Sequence, residues 1–175
     1  MDAVIALGSS LGDRERNLIL AVRALDATKN VTVTAGSHLW WSLPLTPDAR
    51  GRFLNAAVRI ETTLLPQALL RRCKAIERRL GRKPGVRWSD RIVDLDILLY
   101  GEAIIEGADL RIPHVEMLNR NFALVPAWEV APEMVHPDVG LRLSEIPMSP
   151  LGLCPAGVVS VGGLRGHAGR STARR

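Results

Sequence analysis

The sequence predicts an α+β domain, an antiparallel sheet with helices on one face, and three observations predict it. Short apolar or alternating runs recur at residues 2–7, 31–41, 53–62 and 92–100. Segments with helical apolar spacing lie between the first and second of these runs and between the third and fourth. Glycine, proline and small polar residues mark most of the joins. The chain has 175 residues, 47% hydrophobic and 23% charged, which supplies one core and excludes disorder along the whole length.

Each element has a local reason. Asp2-Ala-Val-Ile-Ala-Leu7 reads as a buried strand, broken by Gly8-Ser-Ser-Leu-Gly12. Asp13 is suited to cap a helix that runs to about Asp26, with Leu18, Val22 and Leu25 as its apolar stripe. Val31 to Trp41 is rich in β-branched and aromatic residues and reads as one strand. Ser42 to Arg52 contains Pro44, Pro47 and Gly51 and reads as a loop, and Phe53 to Thr62 as a further strand. Pro66 suits the first turn of a helix that places Leu69, Ile76 and Leu80 inward and stops at Gly81. Arg82 to Asp90 is a basic loop, and Ile92 to Tyr100 is the clearest strand. The order β-α-β-β-α-β is that of the ferredoxin-like split βαβ plan. Beyond it, Gly101 to Pro113 reads as a hairpin or loop and Met117 to Glu129 as a short helix interrupted by Pro126. The Gly-, Pro- and Arg-rich stretch from Pro147 onward is expected to be weakly structured.

The basic residues are unevenly placed. Nine lie between Arg71 and Arg91 against only Glu77 and Asp90, and Arg165, Arg170, Arg174 and Arg175 charge the tail. The 71–91 cluster suits an anion such as a polyphosphate or a nucleic acid, or forms a solvated helix face. Two separated cysteines, Cys73 and Cys154, argue against a zinc site and a disulfide framework. No apolar run is long enough to span a bilayer and no secretory signal is visible, so a cytoplasmic setting without membrane association is expected.

The sharpest chemical feature is Ile92-Val-Asp-Leu-Asp-Ile-Leu-Leu99. Strand alternation places Val93, Leu95, Ile97 and Leu99 on one face and Asp94 and Asp96 on the other, about 7 Å apart. Such a pair suits Mg²⁺, which takes one or two carboxylates together with substrate phosphates; an ordinary solvent-facing strand would read the same way. Arg91 and the basic loop beside the acids suit a magnesium nucleotide, because guanidinium forks take the phosphate oxygens that the metal leaves. Glu77 is placed either to orient an arginine or to pair along its own helix. Gly8-Ser-Ser-Leu-Gly-Asp13 lacks the Gly-Lys-Ser/Thr of a Walker A loop and reads as a tight turn. Phe53 and Asn55 share a strand face, where a ring can stack on a planar heterocycle while an amide bonds its edge; aromatic residues are otherwise core by default. His114 after Pro113, and Arg120 with Phe122, form a second polar cluster.

From about Ala3 to Pro137 these residues resemble the 6-hydroxymethyl-7,8-dihydropterin pyrophosphokinase family. The resemblance rests on Ala6-Leu-Gly-Ser-Ser-Leu-Gly-Asp-Arg14, Phe53-Leu-Asn-Ala-Ala57, Glu77 with Gly81-Arg82, Arg91-Ile-Val-Asp-Leu-Asp96, Ile112-Pro-His114, Arg120 with Phe122, and Glu129-Val-Ala-Pro132. It implies transfer of the β,γ-diphosphate of ATP to the hydroxymethyl group of the pterin, with release of AMP. By the same resemblance Arg82, Arg91, Asp94 and Asp96 are catalytic, and Asp94 and Asp96 hold two Mg²⁺ ions. Ser42, Leu43, Leu45, Phe53, Asn55 and Phe122 line the pterin site. Lys74, Glu77, Arg82, Trp88, Arg91, Ile97, Arg111, His114 and Arg120 contact ATP. Residues 1–147 form the catalytic domain and 148–175 the tail; the partners are pterin and ATP rather than nucleic acid or membrane, and a monomer is expected.

The chain departs from the family pattern at Ser10, where asparagine is usual, at Leu43-Pro44-Leu45, and at Ser89-Asp90, where Gly-Pro is usual. A carboxylate at Asp90 costs about 1–4 kcal/mol if it lies about 4 Å from the triphosphate, unless it pairs with Arg87 or turns to solvent. Two alternatives stand beside the enzyme: a diverged homologue that binds pterin or nucleotide without efficient transfer, and an RNA-binding ferredoxin-like module. The second lacks an aromatic-rich sheet, and its acids would repel phosphate in the absence of metal.

Overall fold

The computed structural model describes residues 1–43, 51–82, 90–148 and 153–156. Strand β1 (Asp2–Ser9) is central, because its alternating Ala3, Ile5, Leu7 and Val4, Ala6 sets are covered from opposite sides. It pairs antiparallel with β4 (Phe53–Thr62) on one edge and with β5 (Asp94–Tyr100) on the other. β1 runs two residues beyond its expected end at Leu7, through Gly8 to Ser9.

Helix α1 (Arg14–Asp26) begins where expected: the Asp13 carboxylate accepts the Arg16 amide at 3.1 Å, and Leu18, Val22 and Leu25 are buried together with Ala21. Helix α2 (Pro66–Arg79) starts at the proline and buries Leu69, Cys73, Ile76 and Glu77. Both helices pack on the Ala3–Ile5–Leu7 face, and each fully buried leucine there contributes about 1.5–3 kcal/mol.

The expected single strand 31–41 is two strands, β2 (Val31–Gly36) and β3 (Trp40–Ser42), both on the outer edge of β4. The break has a cause. The Ser37 hydroxyl accepts the Ala57 amide at 2.8 Å, in place of a regular ladder bond, and the His38 amide donates to Glu129 Oε2 at 2.8 Å. Helix α3 (Asn121–Val130) carries Glu129 and lies over β4 on the face opposite α1 and α2. The expectation of helices on one face therefore holds for α1 and α2 and is corrected for α3, whose apolar Ala123, Leu124 and Ala127 cover Val4, Ala57, Leu98 and Leu99. Pro126 lies inside α3 rather than ending it.

Strand β5 also departs from strict alternation. Its register against β1 shifts between Ile97, opposite Ile5, and Leu99, opposite Val4. Val93, Leu95 and Ile97 face α1 and α2 as expected, whereas Leu98 and Leu99 both lie beneath α3. The region 101–113, expected as a hairpin or loop, holds the hairpin of β6 (Ile105–Glu106) with β7 (Arg111–Ile112), and a second hairpin, β8 (Val135–His136) with β9 (Leu141–Arg142), leads into a single 3-10 turn at Leu143–Glu145. The segment expected to be weakly structured contributes β10 (Leu153–Pro155), which pairs with β3 at the sheet edge. Among the described residues no helix is long and apolar enough to cross a membrane.

Candidate active site

The α3 side of the sheet builds an open floor at one end. Across the strands, Trp40 lies opposite Asn55, Asn55 opposite Gly8, and Gly8 opposite Asp94; in the next row Ala57, Ala6 and Asp96 align. Gly8 and Ala6 keep the middle low, and a Cβ at Gly8 would stand 3.6 Å from Asn55 Oδ1. Two strand spacings, about 10 Å, therefore separate the amide from the carboxylates.

At the amide end, Asn55 is buried and fixed. Its Nδ2 donates to Ser42 Oγ at 2.9 Å, to the Trp40 carbonyl at 3.1 Å and to the Phe53 carbonyl at 3.3 Å. With the nitrogen committed, Oδ1 is directed towards Gly8 as an acceptor. Phe53 lies opposite Ser42 and is half-buried, and Leu43 is exposed. Trp40 Nε1 donates to Glu129 Oε1 at 3.2 Å, so one carboxylate of α3 holds both the His38 amide and the Trp40 ring.

At the other end six predicted residues converge. The Glu77 side chain is only 2% exposed. It accepts the Leu95 amide at 2.7 Å, Lys74 Nζ at 2.8 Å, and Arg82 Nη1. Arg82 Nη1 also reaches Asp94 Oδ1, and Arg91 Nη1 takes Asp94 Oδ2. Lys74 Nζ lies 3.7 Å from Asp94 Oδ1 and 3.5 Å from Asp96 Oδ1. Glu77 therefore holds Arg82, and it also forms an ion pair along its own helix, so both sequence readings of it are realised. Burial pushes the Glu77 carboxyl up, against the pull of Lys74. Burial acts against the charged Asp94 too, but Lys74, Arg91 and Arg82 outweigh it and hold its pKa below the usual carboxylate value.

The backbone of Arg91 is fastened to the end of β1. The Arg91 amide donates to Ser10 Oγ at 2.8 Å, its carbonyl accepts the Ser10 amide at 2.9 Å, and Ser9 Oγ donates to the Ile92 carbonyl at 2.5 Å. Ser10 thus sets the arginine that pairs with Asp94. Asp90 does not turn fully to solvent: Oδ1 is shielded, near the corner where a Cβ at Gly51 would meet it at 3.7 Å, Arg14 Nη2 at 3.4 Å and the Ser10 carbonyl at 3.1 Å.

The remaining predicted residues are more scattered. The His114 amide donates to the Leu98 carbonyl at 3.0 Å, and its Nδ1 accepts the Glu116 amide at 3.2 Å, which leaves Nε2 as the donor. Arg120 pairs with Glu116 at 3.6 Å and lies 5.8 Å from the centre of the Phe122 ring, which is half-buried. Arg111 is exposed on the β6–β7 hairpin. Ile97, expected to contact ATP, has its side chain buried in the core against α1 and α2, on the face opposite Asp94 and Asp96. Leu45, Trp88 and Arg87 lie outside the described residues. Sequence reasoning missed Gly8 as floor, Ser9 and Ser10 as the fastening of Arg91, and Trp40 with Glu129; the Gly-Ser-Ser run after an apolar strand was the only local signal.

Among the described residues no three His, Cys, Asp or Glu side chains are arranged to hold a metal by themselves. The carboxylate pair fits a different mode, two protein carboxylates completed by substrate phosphates. Three side-chain cations already gather on these oxygens, which shows that the site stabilises positive charge there.

A groove with an amide-and-aromatic end and a carboxylate-and-guanidinium end has the chemistry to hold a planar heterocycle beside a metal-bound polyphosphate. Comparison with known proteins narrows it. Residues 4–132 match the family model described as 7,8-dihydro-6-hydroxymethylpterin-pyrophosphokinase. The chain is 41% identical over 136 residues to the 2-amino-4-hydroxy-6-hydroxymethyldihydropteridine pyrophosphokinase of Haemophilus influenzae, covering 78% of this chain and 85% of that one. It is 43% identical over 132 residues to the Bacillus subtilis protein of the same name, covering 75% and 79%. A solved structure, described as HPPK-DHPS in complex with substrates, superposes with a TM-score of 0.64 at 14% identity, covering 83% of this chain and 42% of that chain. The chain belongs to the 7,8-dihydro-6-hydroxymethylpterin-pyrophosphokinase family.

Proposed function

We infer that the groove holds its two substrates end to end, the pterin over Asn55 and Phe53 and the triphosphate of ATP over Asp94 and Asp96. The chain is an ATP-dependent diphosphotransferase of folate biosynthesis, which transfers diphosphate from ATP to the hydroxymethyl group of the dihydropterin. The observation that carries the residue assignment is the single row Asn55–Gly8–Asp94, which sets a fixed acceptor about 10 Å from the charged cluster. The sheet order β5–β1–β4, with β2 and β3 both along the outer side of β4 and β10 added beyond β3, reads as the ferredoxin-like plan, with the expected single strand 31–41 split in two.

In the reaction the hydroxymethyl oxygen forms a bond to the β-phosphorus, the bond from that phosphorus to the α,β-bridging oxygen breaks, the alcohol proton is lost, and AMP leaves. Asn55 Oδ1 accepts from the N–H edge of the pterin, while the Ser42 and Phe53 neighbourhood fixes the ring plane. Asp94 and Asp96 would hold Mg²⁺, and two ions suit two carboxylates and a triphosphate. Bound there, Mg²⁺ neutralises phosphate charge and makes the β-phosphorus more electrophilic. Arg82 and Arg91 move their guanidinium groups from Asp94 to phosphate oxygens and stabilise charge as the bond to AMP breaks. His114 and Arg120 add donors for the nucleotide. Positioning and charge stabilisation carry such a transfer, and no strong base is required.

The test is to mix the protein with ATP, Mg²⁺ and 6-hydroxymethyl-7,8-dihydropterin and follow phosphorus NMR. AMP together with a pterin diphosphate is expected. ADP with orthophosphate, or an unchanged spectrum, would refute the transfer and favour a homologue that only binds.

A further inference from the structure

Lys74 is unlike the other two cations of the cluster. Arg82 and Arg91 flank the basic loop, whereas Lys74 projects from the interior of α2. Its Nζ lies 2.8 Å from Glu77 Oε1, 3.2 Å from the Leu95 carbonyl, 3.5 Å from Asp96 Oδ1 and 3.7 Å from Asp94 Oδ1. Among the described residues it is the cation in ion-pair range of Asp96, and the only one that reaches both members of the pair.

We propose that Lys74 is a resident counter-ion of the Asp94–Asp96 pair, a positioning residue that keeps divalent cations off the pair until nucleotide arrives. This rests on reading Asp94 and Asp96 as the metal ligands. The charges explain the coupling. Three carboxylates, Glu77, Asp94 and Asp96, are matched by Lys74, Arg82 and Arg91, so the cluster is balanced without metal. A divalent cation arriving alone would add two positive charges to a balanced, half-buried site and would meet the ammonium between its own ligands. Arriving with a triphosphate it brings excess negative charge, and the ammonium gains a phosphate oxygen as its next partner. Glu77, buried and fixed by the Leu95 amide, tethers the lysine during the exchange.

The experiment titrates Mn²⁺ into nucleotide-free protein, read by water-proton relaxation and electron paramagnetic resonance, for wild type, K74M, K74Q, K74R and D96N. K74M and K74Q are expected to bind Mn²⁺ about tenfold more tightly than wild type, the effect of a unit charge on a dication across about 6 Å of water-like dielectric. K74R is expected to match wild type. With α,β-methylene ATP present the order reverses, and the neutral variants bind the metal-nucleotide about tenfold more weakly. Unchanged or weaker Mn²⁺ binding in both neutral variants, with binding lost in D96N, would overturn the role of Lys74 and leave the metal ligands standing. Undiminished Mn²⁺ binding in D96N would overturn the ligand assignment, and the proposal with it.

Discussion

Glu77→Ala should destabilise the protein more than any other single truncation in the charged cluster. The substitution removes a carboxylate that is 2% exposed and accepts three donors. The Leu95 amide loses its acceptor inside the sheet, a loss of about 1–3 kcal/mol. Orphaning a buried charge outright costs about 3–5 kcal/mol, but Lys74 and Arg82 keep Asp94 as a partner, so only part of that applies. The expected sum is about 3 kcal/mol, or about 6–12 °C in Tm at about 2–4 °C per kcal/mol for a chain of this size. Glu77→Gln keeps an acceptor for Leu95 and most of the volume, so about 1–2 kcal/mol is expected, together with a lower kcat because Arg82 loses its charged anchor. Urea unfolding with an unchanged m-value, checked by thermal melting, measures both. An alanine variant within about 0.5 kcal/mol of wild type would show that the cations and the Leu95 amide find other partners, and the account of Glu77 as their common anchor would be wrong.

Asp96→Asn should abolish transfer with little loss of stability, since Asp96 is well exposed and among the described residues pairs only with Lys74; turnover near wild type would remove it from the metal site. Asn55→Ala should weaken pterin binding far more than ATP binding in titration calorimetry, and equal losses would contradict the end-to-end placement. His136 is buried, and burial lowers its pKa from the usual 6.5 against the opposing pull of Asp138. The unfolded chain therefore takes up the proton first, and stability should fall as pH drops below about 6.5 towards the lowered folded value. In His136→Gln that part of the slope should vanish, as measured by urea midpoints between pH 7.5 and 5.5; an identical slope would mean that other groups carry it. A chain ending at Met148 lacks β10, and loosening of Ser42 through β3 should raise the KM for pterin while leaving ATP affinity unchanged; unchanged kinetics would make β10 a bystander.

Much of the fold was legible because period and punctuation agree. The Asp13 cap, the Pro66 start and the runs at 2–7, 53–62 and 92–100 each carry a local signal that the tertiary structure keeps. The break between β2 and β3 was not legible, because it depends on Ser37 meeting Ala57 and on His38 and Trp40 meeting Glu129, contacts made across the fold. Nor was the course of α3. A proline six residues into a helix forfeits a backbone bond and costs about 3 kcal/mol, yet the segment buries Ala123, Leu124, Pro126, Ala127 and Val130, and that packing outweighs it. In the site, the common face of Asp94 and Asp96 follows from their i, i+2 spacing, and Arg91 is beside them in sequence. The contacts of Lys74 and Arg82 with these carboxylates do not, because Lys74 reaches β5 only once α2 is docked, and Arg82 only at the end of that helix.

The shift in β5 explains how one short strand serves both chemistry and core. With unbroken alternation Leu98 would share the face of Asp94 and Asp96, and Leu99 would point towards α1 and α2. Tyr100 would then turn towards α3, away from the Leu64 carbonyl that its hydroxyl now reaches at 2.7 Å. The extra residue instead places Leu98 and Leu99 together beneath α3 and returns Tyr100 to the helix side. The strand thereby divides into a polar half, where the carboxylates face the groove, and an apolar half that seals α3 onto the same face. Because α3 also carries Glu129, which holds the His38 amide and the Trp40 ring, the packing that anchors the carboxylate strand also fixes β3, whose Ser42 and Trp40 carbonyl hold Asn55. The spacing between the two ends of the groove is thus set by the core rather than by the loops that border it.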